Sequence, residues 1–500
     1  MKSYQSHRRR SPGTWTFLFC ALVTGFVYFP TLGNARAQSW TLAWSDEFNG
    51  PQGLPSTTTW NFDLGNSGFG NQELETYCGP PGYPQNPQAC PTTFSPTTSN
   101  AYIDGQGHLV IQAIHNTATN IWTSARMNTA TSTPTTFQYG RIEAREMLPI
   151  GAGLWPAFWA YGSNIQTAGW PTCGEMDFME NVPASAGQGP TIFSATIHGP
   201  GYSGANGLSQ KHTFPTGDVT SFHTYGAIWS PYMIQFYVDD PAKVFFIRTA
   251  SDIPGGTQWA FNHPFILLTN LAVGGSWPGP PDNTTPNPAI MMVGYVRYYQ
   301  AAPVTPPNLG NPSPITVKAG ATTGNTSAVN LLSQSGSGRV YLNCTTTAPL
   351  ASCSVNTGYS LNSNVADFTS TNTATATVTV TTTANSMLPP FLLDPNVRFW
   401  MPVELAALLV LARLLKKGRA RRLPRWANGI VLAGVVLAAA LVVGCGSGAC
   451  IPNGCGTCGV ECPQHNGTTP GTYTVSVNAY TVSSNGAAPD ATVNIVLTVQ

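Results

Sequence analysis

Outside two apolar runs near the C-terminus, this chain never travels far without a glycine, proline or asparagine. Between these breaks lie short segments rich in β-branched and aromatic residues. With 50 Gly and 42 Pro in 500 residues, long helices have no room, because proline removes a backbone donor and glycine costs a helix stability. Short apolar-polar alternation bounded by turn residues predicts an all-β protein. The length is enough for two or three domains. Charged residues make up only 9% and the net charge is +1, so no basic field is present to meet phosphates and no nucleic-acid partner is expected.

The chain divides by composition. Arg8, Arg9 and Arg10 precede an apolar stretch from Trp15 to Leu32, and Ala35-Arg36-Ala37 offers a small-x-small cleavage site, so residues 1–37 read as an export signal or an uncleaved N-terminal anchor. Residues 38–302 carry most of the tryptophans and form the first domain. A Pro-rich linker, PVTPPNLG, occupies 303–310. Residues 311–390 are Thr/Ser/Val-rich and alternate as in an immunoglobulin-like sandwich. Residues 397–444 read as two transmembrane helices, 397–415 and 426–444, around a basic loop at 416–425, which the positive-inside rule places in the cytoplasm. Glu404 leaves a buried or interfacial helix as the other reading of the first run. A Cys-rich segment follows at 445–467, and strand-like alternation resumes at 468–500. The expected architecture is thus a sandwich interrupted by a membrane hairpin.

In an exported chain, Cys78 with Cys90 and Cys344 with Cys353 are expected to pair, while Cys173 has no evident partner. Cys450, Cys455, Cys458 and Cys462 have a spacing that suits disulfides, zinc or an iron–sulfur cluster, and disulfides fit the compartment better. Leu441 to Cys445 resembles a lipobox, although it is internal.

The segment Gly174-Glu175-Met176-Asp177-Phe178-Met179-Glu180-Asn181 carries the chemistry. On a strand, Glu175 and Asp177 share a face. Glu180 has the wrong parity, and one extra residue in a β-bulge near Phe178 or Met179 would return it to that face. Met176 and one of the two bulge residues would then face the core. Two carboxyls so placed can cleave a glycoside with retention, one attacking the anomeric carbon and the other protonating the leaving oxygen. Glu175 reads as nucleophile and Glu180 as general acid/base. Asp177, between them, would raise a glutamate's proton affinity by like-charge coupling. A calcium-binding ladder or a solvated acidic face are the alternatives.

These residues resemble the E-x-D-x-x-E signature of glycoside hydrolase family 16, in its laminarinase-like branch. Further blocks across residues 40–300 follow in the family's order. They include Trp44 to Phe48, Asn71 to Tyr77, Thr123 to Arg126, Tyr139 to Arg145, Leu154 to Trp159, Thr196 to His198, Asn270 to Gly279 and Tyr295 to Gln300. The resemblance implies a β-jelly roll whose concave face is a sugar cleft. It also implies hydrolysis of internal β-1,3 or mixed β-1,3/1,4 linkages of a β-glucan polysaccharide. The acid spacing is shared with branches acting on agar or carrageenan galactans. A transglycosylase, or an anchored glucan-binding protein without turnover, are further alternatives.

Sugar rings stack on aromatic faces, so Trp155, Trp159 and Trp170 are candidate platforms, with burial in the core as their other use. His198 matches the family's histidine beside the acids. Asn71 and Arg126 are candidate donors to sugar hydroxyls, against a turn residue and a surface ion pair. Gly294 stands where many relatives carry an acid that helps hold a structural calcium. Glu47 alone leaves too few oxygen ligands, so no metal or cofactor is expected. The protein is expected at the cell envelope or outside the cell, anchored to a membrane through the C-terminal hairpin.

Overall fold

The computed structural model describes residues 38–334, 338–384, 386–387, 464–465 and 467–500. The expected export signal at 1–37, the hairpin at 397–444 and nearly all of the Cys-rich segment lie outside them. Among the described residues no helix is long and apolar enough to cross a membrane.

Residues 38–302 fold into two packed sheets. The outer sheet has ten strands. Gly140–Met147 sits between His223–Ser230 and Ala289–Ala301, and the latter also pairs with Trp40–Asp46 and Leu109–Asn116. The inner sheet has seven antiparallel strands. In spatial order they are Leu208–Thr213, Ile192–His198, Glu175–Glu180, Leu154–Gly162, Phe265–Val273, Arg126–Asn128 and Asn61–Asp63. Strands of mixed parity drive this packing, because alternate residues must leave water together. From the inner sheet Phe158, Met176, Phe193, Ile197 and Leu267 point into the core. They meet Ile142, Tyr225, Phe236 and Val296 of the outer sheet. The result is the expected β-jelly roll.

A second sandwich follows. Its four-stranded sheet contains Asn308–Leu309, Thr326–Leu332, Thr373–Thr382 and Ala351–Asn356. The facing five-stranded sheet contains Ile315–Val317, Ala491–Val499, Gly471–Tyr480, Arg339–Thr346 and Val365–Asp367. Thr326–Leu332 alternates strictly between exposed and buried, with Ser327, Val329 and Leu331 inward. Strands from both sides of 388–463 share this core, and Ser386–Met387 pairs with Gln464–His465 where the chain leaves and returns.

The two bodies are joined by more than the proline-rich stretch. Met233, Val244 and Ile247 of the jelly roll's outer sheet pack against Tyr341, Val365 and Tyr480 of the sandwich. Asn362 Nδ2 donates to Asp252 at 2.7 Å, and Ser251 Oγ lies 2.9 Å from the Tyr341 hydroxyl. Cys78–Cys90 and Cys344–Cys353 are bonded, and Cys173 is a free, buried thiol.

Candidate active site

The acidic strand runs beside Leu154–Gly162 on one side and Ile192–His198 on the other. Glu175 stands opposite Tyr161 and His198, and Asp177 opposite Trp159 and Thr196. The register then slips, so that Glu180 stands opposite Ala157 and Ser194. Because directly opposed residues share a face, all three acids face the same side of the sheet. The slip is the expected bulge. One detail differs from expectation: Phe178 and Met179 are both fully buried in the core, rather than one of them. The extra residue makes two successive side chains turn inward.

Each acid has a distinct partner. Trp170 Nε1 donates to Glu175 Oε2 at 2.7 Å, and Trp155 Nε1 donates to Glu180 Oε1 at 3.1 Å. His198 Nε2 lies 3.2 Å from Asp177 Oδ2 and 3.8 Å from Glu175 Oε1. Burial, reinforced by the charge of Asp177, lifts Glu175 to about 8, while His198 and the Trp170 indole oppose the shift. Burial likewise lifts Asp177 to about 8, with the hydrogen bond to Glu175 acting the other way. Glu180 is raised well above the usual carboxylate range by burial and by Asp177. Three carboxyls this close cannot all ionise, so protons stay in the group near neutral pH. His198 is itself held closely. A Cβ on Gly207 would come within 2.3 Å of its ring, so that position has space only for glycine.

Around the acids lies an open cleft of about 510 Å³, lined by Trp155, Trp159, Trp170, Asn71 and Arg126 together with Glu175, Asp177 and Glu180. The structure thus gathers the three expected tryptophans, both expected donors and the acids around one space. His198 is not among the lining residues and meets the site through Asp177 and Glu175. Trp170 is 49% exposed, as a platform requires and a core residue does not. Arg126 is neither free nor on an open surface. Its Nε donates to Asp63 at 2.8 Å and its guanidinium lies over the rings of Phe69 and Trp159.

Several lining residues escaped the sequence reading. Trp159 Nε1 donates to Asn270 Oδ1 at 2.8 Å, and Asn270 Nδ2 donates to the Tyr77 hydroxyl at 3.2 Å. Tyr77 donates to Glu73 Oε2 at 2.8 Å, and Asn71 Nδ2 to Glu73 Oε1 at 3.0 Å. Beyond it, the fully buried Glu75 accepts from Val273 N at 2.7 Å, and burial together with the nearby Glu73 charge pushes its carboxyl well above the usual range. This chain fixes the tilt of the Trp159 platform. Glu73, Tyr77 and Asn270 stood out only within blocks, because nothing local says that residues 193 positions apart touch. On the opposite side, both oxygens of Glu47 accept from Arg297, at 2.9 and 2.8 Å.

A profile of the family described as Glycosyl hydrolases family 16 matches residues 97–295. A Beta-glucanase of Rhodothermus marinus is 36% identical over 278 residues, covering 53% of this chain and 87% of the relative. A Glucan endo-1,3-beta-glucosidase of Cryptopygus antarcticus is 32% identical over 255 residues, covering 48% and 83%. Among solved structures, an endo-beta-1,3-glucanase from Pyrococcus furiosus is 39% identical and aligns over 53% of this chain and 96% of its own, with a TM-score of 0.44. Spanning most of the length of relatives that are more than 30% identical to it over the aligned residues, the chain belongs to the glycosyl hydrolases of family 16.

Proposed function

We propose that the chain hydrolyses internal β-1,3, or mixed β-1,3/1,4, bonds of laminarin-type glucans with retention of configuration. The observation that carries this is the bulge, which sets Glu175, Asp177 and Glu180 on one face of an aromatic-walled cleft, with an indole donor on each glutamate. The Glu175 carboxylate attacks the anomeric carbon while Glu180 gives its proton to the departing glycosidic oxygen. Water then enters, returns a proton to Glu180 and releases the sugar from Glu175. His198 and the Trp170 indole favour the ionised Glu175 that attack requires, and a proton kept on Asp177 leaves that charge in place. Burial keeps Glu180 protonated as an acid.

Reducing-sugar release from laminarin, lichenan, agarose and carrageenan tests the substrate, and the anomer first formed tests retention. Laminarin should be cut to give the β-anomer. Glu175→Gln should lose about 10³-fold or more in kcat while still binding glucan. A wild-type protein that binds laminarin and releases no sugar is a binding protein instead.

Export and anchoring are part of the same proposal. Their support is the basic and apolar pattern of residues 1–37 and 397–444. The fit of residues 311–390, with the returning strands at 468–500, to an immunoglobulin-like sandwich is supported by the two facing sheets. Cell fractionation tests the anchoring: recovery of the full-length chain in the soluble fraction would refute it.

A further inference from the structure

A second depression of about 830 Å³ lies against the edge strand Asn61–Asp63, walled by residues 54–57 on one side and 80–85 on the other. The strand joins it to the cleft. Asp63 lines the cleft and Asn61 lines the depression, and such alternate residues lie about 7 Å apart. Both belong to the face that carries the acids, standing opposite Arg126 and Asn128 of the next strand.

The far wall is stiff. Cys78–Cys90 closes the loop at its base. The Asn86 side chain accepts from Gly79 N at 2.8 Å and donates to the carbonyls of Gly79 and Pro80. Pro80, Pro81 and Pro84 fix the backbone between. Tyr83 is locked within this wall. Its hydroxyl donates to Asn61 Oδ1 at 2.8 Å, its ring meets Phe62 edge-on at 5.2 Å, and Gly79 lies so near the ring that a Cβ there would come within 2.7 Å. Tyr83 is nevertheless only half-buried and lines the depression.

A fixed aromatic ring, amides and hydroxyls with no charged side chain in the lining is the chemistry that holds a neutral sugar. A pre-stiffened wall also loses little freedom on binding. We propose that this depression is a distal subsite that holds the β-glucan chain where it runs past the edge of the cleft. The proposal rests on the glucanase reading above. The absence of charge selects a neutral chain over a sulfated one.

The test compares kcat/KM on laminari-oligosaccharides too short to leave the cleft with kcat/KM on longer ones and on laminarin. The wild type should favour the long substrates. Tyr83→Ala should lower the long-to-short ratio by about fivefold or more. Leu54→Arg, at a side chain already 40% exposed, should lower it similarly without touching the core, which guards against misfolding of the first variant. A wild type without length preference, or both variants leaving the ratio unchanged, overturns the subsite while the glucanase reading stands. A wild type that cuts no β-glucan of any length overturns both.

Discussion

Single side chains set the protonation of this site. The Trp170 indole stabilises the ionised form of Glu175 by one hydrogen bond. Trp170→Phe keeps an aromatic ring and removes that bond, so the Glu175 carboxyl should rise further. The acidic limb of the kcat/KM profile should move to higher pH by about half a unit to one unit, and an unmoved limb would show that the indole serves stacking alone. Glu146 is a different case. It is fully buried between the sheets, accepts from Thr269 Oγ1 at 3.3 Å through one oxygen only, and is lifted to about 8 by burial. Below about 4.5 both the folded and the unfolded chain hold this proton. From about 4.5 to about 8 only the folded chain does, so stability falls as pH rises through that window and then levels. Glu146→Gln should therefore match the wild type at pH 4 and exceed it by roughly 2–4 kcal/mol at pH 8, read from denaturant unfolding at both pH values.

At the level of the strand, the bulge is the decisive device. Deleting Phe178 removes the extra residue: Glu180 then stands four positions from Glu175, so regular alternation alone keeps it opposite Ala157 on the acidic face. Activity should therefore stay within about tenfold of the wild type, while Tm should fall by several degrees because a buried aromatic ring leaves the core. Measuring both on purified protein separates this from simple misfolding, since the shared β-sheet circular dichroism should persist. This element was legible beforehand because Met176 fixes the core face and the glutamates then demand an extra residue. Glu146 was legible too in principle: it shares parity with Ile142 and Ala144, both fully buried. What hides it is that an acid in an alternating strand ordinarily marks the wet face. The Trp159–Asn270–Tyr77–Glu73 chain was not legible, since it joins three strands and a loop through contacts that only the finished fold creates. The same holds for the loop at 80–85, whose prolines announce a turn but not the wall it builds.

For the whole molecule, the packing of Met233, Val244 and Ile247 on Tyr341, Val365 and Tyr480 makes the sandwich part of the hydrolase's stability. The proline-rich stretch 303–310 is itself tied to the sandwich, since Val304 N donates to Ser483 Oγ and Asn308–Leu309 pairs with Leu331 and Leu332. A chain ending at residue 302 should expose that apolar patch and melt several degrees below the full chain, with calorimetry of the latter showing one cooperative transition. Two separate transitions with an unchanged first Tm would contradict the coupling. The paired strands Ser386–Met387 and Gln464–His465 carry a different consequence. They bring the chain's exit and re-entry points side by side, so every framework strand is kept whatever length of polypeptide is spliced between them. The gene can exchange that cassette for a tight turn or a foreign module, and the fold's wiring diagram stays the same.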